Sequence, residues 1–242
     1  MTAVHLFRIS ADMTEDHANS FTAINHEIVE LAGRRRQTIS VSGHLARSKI
    51  AWKIETFAEA VLYRLVALAE GTALSWNAAI PLPAFLCTRA IVETVALLVD
   101  FEARTAKLLE AEDLKGLDEL TMNRIFSSRD EEWVRAEPKF KTVNVMTHIE
   151  KLDRLLPGAL GHYERLSERC HPNWLGHHEM FASTDYRNGT VTYDSSKAMK
   201  DGTAIIAGLT LLGVVEHCLR QLRQLSEKVS ELHHRVRPSP LD

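Results

Sequence analysis

Three features of the sequence predict an all-α fold: a helical bundle of about six or seven helices, with a small β-hairpin inserted before the C-terminal helix. Apolar residues recur at intervals of three and four through successive stretches of the 242-residue chain. Proline and glycine stand between those stretches, at Pro81, Pro83, Pro138 and Pro157-Gly158, where helices start or stop. Strand-forming residues gather in only one place, around Asn188-Gly189.

The first helix covers about residues 15–32, with Phe21, Ile24, Ile28 and Leu31 on one face. Gly33-Arg34-Arg35-Arg36 through Gly43 is a polar connector. A long helix from about Leu45 to Trp76 carries Trp52, Phe57, Leu62, Leu65 and Leu68. Pro81 and Pro83 fall in the first turn of the next helix, which reaches about Leu109. Leu117–Val134 is a weaker helix that ends before Pro138. Helices over Val143–Leu156 and Ala159–Cys170 are separated by Pro157-Gly158. Phe181–Tyr186 and Thr190–Tyr193 flank Arg187-Asn188-Gly189, where Asn-Gly predicts a type I′ turn because both residues accept positive φ. The final helix spans about Ala198 to His234. Its Leu211, Val215, Cys218, Leu222, Leu225, Val229 and Leu232 form a heptad-like seam, either a core stripe or, if it outruns the bundle, a dimer contact. With no repeat and no low-complexity linker, the chain reads as one domain over residues 1–242, its core at about 45–235 and a frayed tail at 236–242.

Composition narrows the functional classes. A hydrophobic fraction of 45% and a charged fraction of 25% are those of an ordinary globular protein. Net charge of −3 excludes a global basic field for nucleic acid, which leaves local patches. Arg34-Arg35-Arg36 with Arg47 and Lys49 is the clearest such patch, to be read as phosphate-contacting or as simply solvated. Cys87, Cys170 and Cys218 are odd in number and lack CxxC spacing, which suits a reducing cytoplasm better than a disulfide scaffold. The opening MTAVHLFRISAD has no long apolar region or small-residue cleavage site. The apolar runs Ala84–Val99 and Thr203–Val215 fall short of the ~20 residues a membrane span needs, so they read as core helices and a cytoplasmic location is expected.

The segment Tyr163-Glu-Arg-Leu-Ser-Glu-Arg-Cys-His-Pro-Asn-Trp-Leu-Gly176 carries the chemistry. At about 100° per residue, Tyr163, Leu166, Ser167 and Cys170 share one side of a helix, while Arg165 and Arg169 fall opposite, toward solvent or a partner. Pro172 disfavours the α region at His171, so the helix should end at about Cys170. His171 then leaves the helical path and can turn toward the Arg165 face. An imidazole can move protons near neutrality, and a guanidinium can stabilise a crowded anionic phosphorane. Together they suit metal-free cleavage of RNA by its own 2′-hydroxyl, with Asn173 orienting the phosphate or the imidazole. The plain alternative is a solvated Arg165 and a chain-turning His171-Pro172-Asn173.

Arg165-x5-His171 near a helix end resembles the HEPN superfamily, whose active members carry Arg-x(4–6)-His. The string Tyr163-x2-Leu166-Ser167-Glu168-x2-His171-Pro172-Asn173 is similar to a bacterial HEPN-like family of unknown function, which also tends to carry an earlier Arg-x3-Glu pair, here Arg89 and Glu93. The resemblance spans roughly Trp52 to Leu232. It implies a helical bundle, a homodimer and, in active relatives, a metal-independent endoribonuclease site across the dimer interface, with RNA as substrate in bacterial defence or stress. His171 would be the acid/base, Arg165 the phosphorane stabiliser and Asn173 an assistant. The chain departs from the active pattern at Leu166, where active members carry Asn, Asp or His. The competing class is a non-catalytic module that dimerises or binds an unidentified protein partner.

Arg89 and Glu93 lie on one helix face, with Asp100 at nearly the same azimuth. They read as an internal ion pair fixing helix register, or as a pair set beside the His171 segment. His171, His177, His178 and Glu179 with Cys170 invite a zinc reading, but neither CxxC nor HExxH occurs, and no metal or cofactor is expected. A zinc-assisted hydrolase therefore ranks third. His233-His234 reads as a solvated helix end.

Overall fold

Capping residues and prolines mark out the helices in the computed structural model, which describes residues 4–11 and 13–236. Thr14 accepts from His17 N–H to start α1 (Glu15–Arg34). The single turn α2 (His44–Arg47) ends at Ser48, whose backbone is extended and whose hydroxyl caps α3 (Lys49–Asn77) through Ala51 N–H. Pro81 opens α4 (Pro81–Glu110), where its missing N–H costs no intrahelical bond. Asp113, Asp130 and Asn144 cap α5 (Leu114–Phe126), α6 (Glu131–Ala136) and α7 (Val145–Leu155). Gly158, at φ 99°, takes the left-handed turn into α8 (Ala159–Cys170). A π-helical turn (Trp174–His178) and the single turn α9 (Glu179–Phe181) lead to β1 (Ala182–Asp185) and β2 (Thr190–Tyr193). A 3-10 turn (Lys197–Asp201) then enters α10 (Gly202–Leu209) and α11 (Leu212–Val236).

The chain is thus all-α, with one antiparallel hairpin before the C-terminal helix, as the sequence predicts. Boundaries differ where a side chain competes with the helix. Ser48 divides the stretch expected as one helix from Leu45 to Trp76. Extended Ser127 and the Asp130 cap split the expected Leu117–Val134 helix. Thr210, whose hydroxyl bonds back to the Ala207 carbonyl, marks the break between α10 and α11. The hairpin is not the expected type I′ turn. Asp185 pairs with Thr190, leaving a four-residue loop in which only Gly189 has positive φ. The Asp185 carboxylate closes this loop by accepting Arg187 N–H and Asn188 N–H at 2.9 and 3.2 Å. Apart from Val236, the tail expected to fray lies outside the described residues.

Helix α4 occupies the centre. Phe85, Ile91, Val92, Val95, Leu98 and Phe101 are inaccessible to solvent, and α3, α5, α7, α8, α10 and α11 all pack against it. The seam of α11 is buried among α3 and α4 from Val215 to Leu232, so it is a core stripe. Pro81–Glu110 and Lys197–Val236 are long and apolar enough to cross a membrane, a length that the shorter runs read from sequence did not reach. Here their apolar faces line the bundle core.

A carboxylate sits inside this apolar packing. Asp100 of α4 has a side chain only 3% exposed and accepts from Arg124 Nη2 of α5 at 3.0 Å and Lys151 Nζ of α7 at 2.5 Å. His148 Nδ1 lies 3.0 Å away. Burial opposes its ionisation, yet His148 and Lys151 hold the carboxyl well below the usual carboxylate range. A depressed folded-state value stabilises the fold fully above the unfolded carboxylate range, near pH 4, and this contribution is lost as pH falls toward the folded value. Asp100→Ala leaves Arg124 buried without its counter-charge and should cost about 3–5 kcal/mol in urea unfolding at pH 7. The gap between variant and wild type should narrow in acid below about pH 4.

Candidate functional site at the end of helix α8

Helix α8 stops where the sequence says it must. Cys170 is its last residue, and His171 turns to extended backbone (φ −85°, ψ 150°) ahead of Pro172. Tyr163 and Leu166 are buried against the core, while Arg165 and His171 are exposed. Neither Arg165 nor His171 makes a side-chain hydrogen bond or ion pair among the described residues. Arg165 lines a groove of about 400 Å³ with Pro157, His162, Thr210 and Val214, and His171 lies outside it.

Asn173 is occupied with the backbone turn. Its Oδ1 accepts Gly176 N–H at 2.9 Å and its Nδ2 donates to Glu168 Oε2 at 2.6 Å. It therefore caps the π-helical turn that follows α8. Gly176 is required there, because a Cβ at this position would collide with the His171 carbonyl oxygen. The segment thus fixes His171 through its backbone and leaves the imidazole open.

Arg89 and Glu93 form the expected i,i+4 ion pair, 3.1 Å apart, and do more than fix register. Arg89 Nη2 donates to the Tyr163 hydroxyl at 3.1 Å, and that hydroxyl donates to Glu93 Oε1 at 2.8 Å. The Arg89 guanidinium also lies over the Tyr163 ring. The pair of α4 therefore clamps the motif helix at Tyr163, one turn before its end. Asp100, near them in azimuth, belongs to the separate cluster with Arg124 and Lys151. Burial pushes the Cys170 thiol up to about 11 although Arg89 is close, so it remains a neutral thiol near pH 7.

Two side chains depart from the helical-phase reading. Arg169 is half-buried, not solvent-facing: it pairs with Asp201 at 2.8 Å and covers the Phe85 ring, because the 3-10 turn and α4 flank this side of α8. His162 escaped notice in the sequence. It is only 9% exposed, its Nε2 lacks a partner, and burial together with Arg165 lowers its pKa. The close approach of α10 at Gly208, next to His162 and Thr88, explains its burial. Its position beside the buried Tyr163 was the only signal available.

Other candidate residues resolve differently. The arginine run is engaged within the chain: exposed Arg34 pairs with Glu216, Arg35 covers Tyr63, and Arg36 reaches Glu55 and Glu59. Arg47 and Lys49 remain exposed. His178 stacks on Trp174 with centroids 4.0 Å apart, and Glu179 faces Lys197. Among the described residues no three of His, Cys, Asp or Glu converge as metal ligands. His233 is half-buried and its Nδ1 lies 3.0 Å from the Ser48 hydroxyl, so it is no solvated helix end.

No family model, no curated protein and no solved structure matches the chain.

Two substitutions test this local construction. Tyr163→Phe removes both hydroxyl bonds and should lower unfolding stability by about 1–3 kcal/mol. Gly176→Ala should cost about 2 kcal/mol or more by forcing the π-helical turn apart, measured in the same urea titration.

Proposed function

We propose that the chain is a HEPN-like protein that cleaves RNA without a metal, using Arg165 and His171 drawn from two copies. One observation carries this reading: Arg165 on the clamped helix and His171 just past its end are exposed and make no side-chain hydrogen bond or ion pair among the described residues. A second copy supplies the missing neighbour for each. In the reaction the imidazole removes the 2′-hydroxyl proton, and the 2′-oxygen attacks phosphorus. The P–O5′ bond breaks and the 5′-oxygen takes up a proton. Arg165 offsets the charge on the phosphorane, and a 2′,3′-cyclic phosphate remains. Asn173 acts here as a positioning residue for the His171 backbone, which replaces the direct role the resemblance implies.

A second reading, a non-catalytic module for binding another protein, draws on exposed apolar residues close behind the motif in sequence. Trp174 is 55% exposed, and Tyr186 and Tyr193 of the hairpin are 87% and 75% exposed.

The experiment is cleavage of end-labelled RNA in EDTA. Wild type should leave 2′,3′-cyclic phosphate ends, while His171→Ala and Arg165→Ala should each lose at least about 100-fold in rate. Mixing the two inactive variants should restore part of the activity, because one composite site in a mixed dimer is intact. Failure of wild type to cleave, with Trp174→Ala abolishing self-association or partner capture, favours the binding module.

A further inference from the structure

A second groove, where Thr94 and Leu97 of α4 meet α3 and α5, has features that the motif helix does not explain. It lies between α3, α4 and α5 and holds about 290 Å³, the small end of the range for ligand pockets. Phe57, Leu97 and Ile125 give it an apolar wall. Its polar residues are Thr56, Arg64, Thr94 and Arg124, and no carboxylate lines it among the described residues.

The polar residues are arranged around one charge. Arg64 Nε donates to the Thr94 hydroxyl at 3.2 Å, which steadies the guanidinium and leaves its terminal nitrogens without an acid partner among the described residues. Arg124 is held from behind by Asp100 at 3.0 Å, and that carboxylate is already shared with Lys151. Burial lowers the Arg124 pKa, Asp100 offsets part of that, and Arg104 adds a smaller repulsion. Arg124 Nε and Thr56 Oγ1 are both buried and both lack a hydrogen-bond partner. Folded proteins satisfy nearly all such atoms, and an unmet donor costs about 1–3 kcal/mol. Two unmet polar atoms on residues that line one groove, beside an unpaired guanidinium and an apolar wall, define a chemical complement.

We infer that this groove binds a small carboxylate with an apolar body, of the medium-chain fatty acid type, its carboxylate held by Arg64 and Arg124 and its chain against Phe57 and Leu97. Inorganic phosphate matches the charge but leaves the wall bare. An aliphatic alcohol matches the wall but leaves the Arg64 guanidinium without a counter-charge. The site is separate from the end of α8 and stands or falls independently of RNA cleavage.

Isothermal titration with octanoate tests it, beside 1-octanol, octylamine and inorganic phosphate. Octanoate should bind one to one, at least about tenfold more tightly than any of the three, as a charge-assisted pair requires. Arg64→Ala should weaken octanoate by about 10- to 100-fold. Ala60→Trp, which fills the groove from its exposed rim, should abolish binding. Both positions are exposed, so both variants should melt with wild type, and unchanged thermal unfolding confirms it. Octanoate binding no tighter than 1-octanol, or binding undiminished in both variants, overturns the inference.

Discussion

Charged side chains on a helix that the core surrounds need partners, and that need organises this molecule. Between Phe85 and Phe101, helix α4 carries Arg89, Glu93 and Asp100 among residues that are otherwise apolar except Thr88 and Thr94. A buried carboxylate without donors costs far more than one helix contact returns. Each charge is answered from a different helix: Tyr163 of α8 for Arg89 and Glu93, Arg124 of α5 and Lys151 of α7 for Asp100. Apolar burial alone would let these helices slide or rotate on α4. The polar contacts choose one register for each.

The motif segment inherits its precision from this arrangement. The clamp at Tyr163 sets the rotation of α8, and rotation decides that Arg165 faces outward while Leu166 fills the core. The residue that departs from the active HEPN pattern is therefore the one most deeply committed to packing: Leu166 is fully buried. Beyond the helix end, Pro172, Asn173 and Gly176 hold the backbone of His171 by sterics and a side-chain cap. Every intramolecular constraint in the segment acts on the main chain or on neighbours, and the two side chains with useful chemistry are left open.

Periodicity made most of the fold legible. The end of α8 at Cys170, the separation of α7 from α8 and the core stripe of α11 follow from proline position and apolar spacing. Helix breaks at Ser48 and Thr210 were hidden because a hydroxyl that can cap a helix can also sit within one. The Asn188-Gly189 turn misled because Asp185, outside the dipeptide, closes a wider loop. The clamp of Arg89 and Glu93 on Tyr163 joins residues about seventy positions apart, and its two halves each announce only an unmet need for a partner. Arg34, Arg35 and Arg36 looked like a patch because their partners, Glu216 for Arg34, Tyr63 for Arg35, and Glu55 and Glu59 for Arg36, lie elsewhere in the sequence. Charge density along a chain says little about charge density on a surface.

The arrangement around Asp100 also bears on how the chain reaches its fold. Its donors follow it by 24 and 51 positions, on helices that must already be docked before the carboxylate can leave water. Packing α4 early against α3 and α11 alone would strand that charge, so the last step of burial is coupled to the arrival of α5 and α7. Contacts between distant segments form slowly because loop closure must come first. This side of the bundle should therefore assemble late and as a unit, and its amide hydrogens should exchange together in a single cooperative opening rather than helix by helix.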